Sequence, residues 1–293
     1  MNGSLPVTVL LIASVMWGVT WWPLKQISAL GIDGVPLAFG AFGAVSLLLL
    51  PLLILRRRRW AGEGRYLLLI ALLGGYANLA FTSAMIHGEV VRVMVLFYLL
   101  PVWGVLGGRL FLGERIDAAR GVAVALALAG AFQILGGAQI FQTRIAWPDL
   151  LAVSCGLAFA GNNLVFRARQ ALPVGHKVAA MLGGCFALAA LLMLMQLQPW
   201  PQTQFGNWLW VIGYGLVWIL LATAGTQWAV THMEAGRASI LIILELLTAV
   251  LTAMLFGGET MNSAELFGGA LILAAAVIEA RRGGAVLPQT ARA

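Results

Sequence analysis

A carboxylate in the middle of an apolar run is the sharpest chemical signal in this chain. Glu245 lies about halfway along the run 236–256, where a bare carboxylate is costly and needs the bundle interior or a wet cavity. Thr248 and Thr252 follow at i+3 and i+7, so they share its helical face. Such a group can bind a substrate ammonium or exchange a proton. Its structural alternative is a protonated carboxyl bonded to a neighbouring helix.

Other residues suit the same chemistry. Trp17, Thr20, Trp21 and Leu24 form one face of the run 6–26, and an aromatic face suits an amino-acid side chain or an organic cation. Trp17 is deep enough to line a site, whereas Trp21 and Trp22 sit near the outer boundary, where tryptophan anchors belong. Cys155, Phe159, Asn162, Asn163 and Phe166 make one stripe of the run 148–168. The adjacent amides Asn162 and Asn163 need partners, either on another helix or on a substrate carboxylate or amine. Tyr98 stands near Pro101, which frees the carbonyl of Phe97 and can kink or hinge its helix. Asn78, Phe81 and Thr82 share a face that completes a candidate cavity, while Tyr214 and Trp218 read as lipid-facing or packing residues. The candidate substrate-binding set is therefore Trp17, Asn78, Tyr98, Phe159, Asn162, Asn163 and Glu245, with Pro101 as a hinge.

The elements that must position these residues follow from composition. The 293 residues are 61% hydrophobic and 10% charged, against about a quarter charged in a soluble domain. One globular core cannot hide that surplus, so lipid must solvate most of the surface. The net charge of +7 does not make a nucleic-acid face, because the basic residues sit between apolar runs rather than in a soluble cluster. A bilayer core takes about 20 apolar residues of helix. About ten runs meet that length: 6–26, 35–55, 66–86, 91–112, 119–137, 148–168, 177–197, 207–230, 236–256 and 264–281. Barrel strands would be shorter and alternating. The first run lacks a charged n-region and reads as a spanning helix rather than a cleaved signal. With the N-terminus inside, only Lys25, Arg92 and Arg144 of the 18 basic residues fall outside, which predicts both termini in the cytoplasm. Arg56 to Arg59 then read as a topology signal that also meets anionic lipid.

A charged frame recurs along the chain. His87/His232, Glu89/Glu234, Arg92/Arg237, Gly113/Gly258 and Glu114/Glu259 all match at an offset of 145 residues. The repeat unit is five helices, and an odd number inverts the second copy in the membrane. Secondary transporters use this plan, with the substrate site at the repeat interface near the midplane. The expected domains are 1–137 and 147–282, joined by a linker at 138–146, with a cytoplasmic tail at 283–293. The Glu89–Arg92 and Glu234–Arg237 spacings read as i, i+3 ion pairs at helix starts. Gly104-x-x-x-Gly108, Gly268-Gly269 and Gly74-Gly75 read as close helix contacts. The runs 119–137 and 264–281 read as scaffold or a dimer contact.

The two matched helices read "FYLLPVWGVLGGRLFLGE" and "ILELLTAVLTAMLFGGE". With ten helices in two repeats, they resemble the EamA-type transporters of the drug/metabolite transporter superfamily over about 6–281. Within it, Val15-Met16-Trp17-Gly18 and Phe97-Tyr98-Leu99-Leu100-Pro101 are most similar to the YddG-type amino-acid exporters. Leu246 stands where the family often has Pro. The resemblance implies a multi-pass protein of the bacterial inner membrane exporting small metabolites, with aromatic and other neutral amino acids foremost, and no ATPase.

The expected protein is thus an all-α secondary transporter working by alternating access. Its partners are a small-molecule substrate and the bilayer, with no nucleic acid, and it is a monomer or weak homodimer. An organic cation, drug or other metabolite is the alternative cargo. A lipid-acting membrane enzyme would need a cluster of carboxylates, Cys/His or metal ligands inside the bundle. No cofactor or metal is expected: there is no phosphate-cradling loop, His87, His176 and His232 are scattered, and Cys155 and Cys185 lie in separate apolar segments.

Overall fold

The structure, a computed structural model, describes residues 4–32, 34–87, 93, 96–134, 137–138, 146–195, 200–257 and 263–281. Its helices are α1 (Ser4–Val19), α2 (Trp21–Ser28), α3 (Gly34–Leu55), α4 (Gly64–His87), α5 (Leu100–Leu112), α6 (Ala118–Ile134), α7 (Trp147–Ala168), α8 (Val174–Leu194), α9 (Trp208–Gly213), α10 (Leu220–His232), α11 (Ala235–Ile242), α12 (Leu244–Gly257) and α13 (Ser263–Arg281). A wide π turn, Tyr214–Ile219, joins α9 to α10. No strand occurs among the described residues.

Among the described residues, six stretches are long and apolar enough to cross a bilayer: Leu5–Ser28, Gly34–Leu55, Ala61–Ala84, Trp147–Ala168, Val174–Leu194 and Phe205–His232. Leu100–Leu112, Ala118–Ile134 and Leu266–Glu279 are shorter apolar helices. Large apolar side chains point outward, among them Leu55, Leu110, Phe111 and Leu255. A surface this apolar is tolerable only where lipid replaces water.

Small residues decide which helices touch. A Cβ on Gly130 would lie 2.6 Å from the carbonyl oxygen of Gly268, and one on Gly268 would lie 2.7 Å from that of Gly130. That contact brings α6 and α13 together within one chain. Gly75 likewise abuts the backbone of Gly184, seating α4 on α8. Lys177 of α8 is buried, and its Nζ donates to the carbonyls of Phe166 (2.8 Å) and Arg169 (3.1 Å) and to Thr231 Oγ1 (3.0 Å). One ammonium thereby caps α7 and fastens it to α10. Across the halves, α1 runs along α10 and α12, and α4 along α7 and α8. The core therefore lies between the two halves of the chain.

The run 236–256 is not one helix. It breaks at Ile243 (φ −60°, ψ −16°), and α12 starts afresh at Leu244. The run 91–112 likewise restarts at Leu100, after Leu99 (φ −66°, ψ −6°), with Pro101 in the first turn of α5. Proline is at home there because its missing N–H would have no helical partner. Tyr98 and Ile243 are 145 residues apart, so both breaks fall at matching places although only one has a proline.

Candidate functional site

The two breaks meet inside the bundle. Tyr98, in the first, donates its hydroxyl to Glu245 Oε1, just past the second, at 3.0 Å. Each break is approached by a glycine from the opposite half. A Cβ on Gly18 of α1 would come within 2.6 Å of the Glu245 carbonyl oxygen, and one on Gly156 of α7 within 2.9 Å of the Phe97 carbonyl oxygen. The carbonyl that Pro101 frees therefore packs against a bare stretch of helix.

Two connected cavities open around this bond. The wider, about 330 Å³, is walled by Trp21, Phe42, Tyr98 and Tyr214, and it extends past Leu24 and Ser28 to Gly34 and Leu37. The smaller, about 80 Å³, reaches between α1, α7 and α10 to Ser14, Cys155, Phe159, Thr223, Thr226 and Gln227. Trp17, Asn78, Phe81 and Glu245 line both, so they form the shared mouth. Phe97 stacks obliquely on Phe81 (5.0 Å between centroids) and Phe159 (6.1 Å) beside it. Among the described residues lining the cavities, Glu245 is the only acid and none is Lys, Arg or His. The arrangement can hold an amphipathic molecule with an apolar body and a cationic or hydrogen-bonding head.

Of the sequence-derived candidates, Trp17, Asn78, Tyr98, Phe159 and Glu245 line these cavities. Asn162 and Asn163 do not. They are buried behind the smaller cavity, where Asn162 Nδ2 reaches Gln227 Oε1 (3.5 Å) and Gln227 Nε2 donates to Asn163 Oδ1 (3.1 Å). Pro101 sits in the first turn of α5, next to the break. Trp21, read as an outer anchor, instead turns to the wide cavity and donates to Thr252 Oγ1 at 3.0 Å. Trp22 is the half-exposed one. Tyr214 also faces the wide cavity rather than lipid, and Trp218 donates to Thr20 Oγ1 at 2.7 Å. Thr223, Thr226 and Gln227 escaped notice, although their i, i+3, i+4 spacing marks a polar stripe on α10.

At the far end of α11 lies a second polar cluster, outside either cavity. Arg120 of α6 bonds Glu234, reaches Glu279 of α13 at 2.9 Å and lies 3.8 Å from Glu114. Glu114 follows the left-handed Gly113 (φ 69°) that ends α5, and its two oxygens accept the amides of Ala235 (2.7 Å) and Gly236 (3.1 Å) at the start of α11. A carboxylate is favoured at a helix start. Burial still pushes the Glu114 carboxyl above its ordinary range, against the pull of those amides and of Arg120. Glu234, expected to pair with Arg237 one turn away, takes Arg120 from another helix. Glu89, Arg92, Gly258, Glu259 and the side chain of His87 lie outside the described residues.

Apolar helices wrapped around a cavity that carries a carboxylate define a multi-pass membrane protein of the transporter class. The family model described as EamA-like transporter family matches the chain twice, over residues 4–136 and 146–279, and the chain belongs to that family. It is similar to an uncharacterised transporter of Archaeoglobus fulgidus, 26% identical over 214 residues that cover 73% of this chain and 76% of the relative. It is also similar to the uncharacterised transporter YwfM of Bacillus subtilis, 27% identical over 291 residues and 93% of each chain. A solved crystal structure shares the fold, with a TM-score of 0.76 at 20% identity, over 96% of this chain and 99% of that one.

Proposed function

We propose that this transporter carries a small amphipathic metabolite with an ammonium group and an apolar body, aromatic and other neutral amino acids foremost. The observation that carries the reading is the Tyr98–Glu245 bond at the meeting of two helix breaks, inside a cavity with aromatic walls and a single acid. Broken helices at the bundle centre are where secondary transporters expose polarity to cargo. The reading includes alternating access between two inverted five-helix halves. The double family match and the matching breaks support it. On this view the Arg120 cluster holds shut the end that must open in the other state, and that Arg-rich end faces the cytoplasm of a bacterial cell.

An organic cation is the second reading, favoured by an acid with no basic side chain beside it among the described lining residues. Both readings predict that Glu245→Gln in proteoliposomes cuts counterflow of the cargo by about tenfold or more, since hydrogen bonds to a charged group are worth roughly 1.5–3 kcal/mol. Counterflow should be screened with labelled phenylalanine, leucine and a quaternary ammonium. If the wild type exchanges none of them, or Glu245→Gln exchanges them undiminished, the reading fails.

A further inference from the structure

Within the proposed cargo site, which this step takes as its premise, the smaller cavity holds a group of uncommitted neutral hydrogen-bond donors. Thr223 lines it, is 2% exposed, and its hydroxyl has no hydrogen-bond partner. Thr226 accepts the Trp17 indole N–H at 3.2 Å, which leaves its own hydroxyl hydrogen to give. Gln227 is fixed by Asn162 and Asn163 through one N–H and one lone pair, so its second N–H remains. Asn163 Nδ2, behind it, is buried without a partner. A buried polar group left unpaired is costly, so the chamber is built to receive acceptor atoms. Three neutral donors converge on about 80 Å³, room for a head group of a few atoms.

The mouth has the opposite character. Glu245 accepts there, and Asn78, with one Nδ2 N–H on the Gly74 carbonyl at 2.8 Å, offers its oxygen to a donor beside its second N–H. A cation at the mouth and an acceptor-rich group in the chamber, with an apolar body left in the aromatic cavity, are the three parts of one molecule. We infer that the chamber around Thr223 is the subsite for the α-carboxylate, or an equivalent carboxamide, of a cargo whose ammonium meets Glu245. The cargo is then an α-amino acid or its amide rather than a simple organic cation. Thr223 determines that preference through neutral hydrogen bonds, with the cargo's own ammonium separating its carboxylate from Glu245.

The test uses the full-length protein in proteoliposomes with phenylalanine, phenylalaninamide and phenethylamine, which share a body and an amine and differ only in the head. Competition against labelled phenylalanine gives each affinity. Wild type should prefer phenylalanine or its amide to phenethylamine, and whichever of the two binds tighter identifies the head. Thr223→Val keeps the shape but loses the hydroxyl. It should weaken the head-bearing ligands by about tenfold, the loss of one hydrogen bond, and leave phenethylamine within about twofold. Thr223→Ser restores the hydroxyl and should restore the preference, which also shows that a weakened Val variant is not merely misfolded. Equal weakening of all three ligands in Thr223→Val, or no weakening of any, overturns the subsite and leaves the transport reading standing; the second result marks the chamber as a place for water. Failure of all three to bind the wild type overturns both.

Discussion

At one end of α11, Arg120 is packed among three carboxylates on three different segments; at the other, Tyr98 meets Glu245 through a single hydrogen bond beside open space. Both junctions tie the N-terminal half to the C-terminal half, and eight helical residues, about 12 Å, separate them. They differ in solvation. Arg120 and Glu279 are almost wholly buried, and neither is among the lining residues of the two cavities. Glu245 borders both cavities, so its carboxyl is open to exchange. The comparison teaches that the same pair of halves is joined by a buried, charge-dense junction and by one bordered by a cavity: on the proposed reading, the seal and the contact that cargo would replace. The two junctions share α11, gripped by Glu114 at its start and ended at Ile243.

The largest effect should come from the seal. Arg120→Ala leaves Glu279 and Glu114 buried without their guanidinium, and breaking a buried ion pair from one side costs about 3–5 kcal/mol. The expected outcome is a steep drop in thermal stability in detergent, or no folded protein. Arg120→Lys should recover only part of it, because an ammonium cannot span partners as a planar guanidinium does. If Arg120→Ala melts within a degree or two of wild type, the cluster is not the seal described here.

This contrast shows what the sequence could and could not disclose. Hydropathy located the apolar spans, and Glu245 announced itself by being charged among leucines. Trp17 and Asn78 were legible as members of periodic faces on their own helices, and Tyr98 as the neighbour of Pro101. The break at Ile243 left no trace, since nothing there is a proline or glycine; it is imposed by packing, with Gly18 pressed on the first turn of α12. The partner of Arg120 was equally hidden. Charges one helical turn apart are visible in a sequence, whereas a contact between α6, α11 and α13 depends on which helices share an end. Asn162 and Asn163 stood out as amides, yet their role toward Gln227 rests on a neighbour 64 residues on.

Proline scanning sharpens the contrast within the middle junction, with an intermediate effect. If the chain truly restarts at Leu244, Leu246 lies in a first turn and gives up only its bond to the Ile243 carbonyl, 3.1 Å. Leu246→Pro should then cost about 1 kcal/mol and reproduce the arrangement of Pro101 in α5. Leu251→Pro, inside the regular part of α12, should cost about 3 kcal/mol or more. Thermal denaturation of the two variants decides it: equal losses would mean that α11 and α12 behave as one continuous helix.

The smallest effect concerns protons at the seal. Arg120 is shared among Glu114, Glu234 and Glu279, and Arg167 is near enough to act on Glu114 and Glu234. Burial raises the Glu114 carboxyl above its ordinary range, so the folded protein holds this proton more tightly than the unfolded chain. Between the ordinary and the raised value the folded state binds more protons, and stability must therefore fall as pH rises. Below that window Glu114 is protonated in both states, and its stabilising share is complete. Above it the share has been lost. Glu114→Gln cannot titrate, so its melting temperature should decline less than wild type across the window while still capping α11 weakly through its amide oxygen. Parallel pH curves for the two proteins would show that Glu114 holds its proton no more tightly in the folded protein than in the unfolded chain.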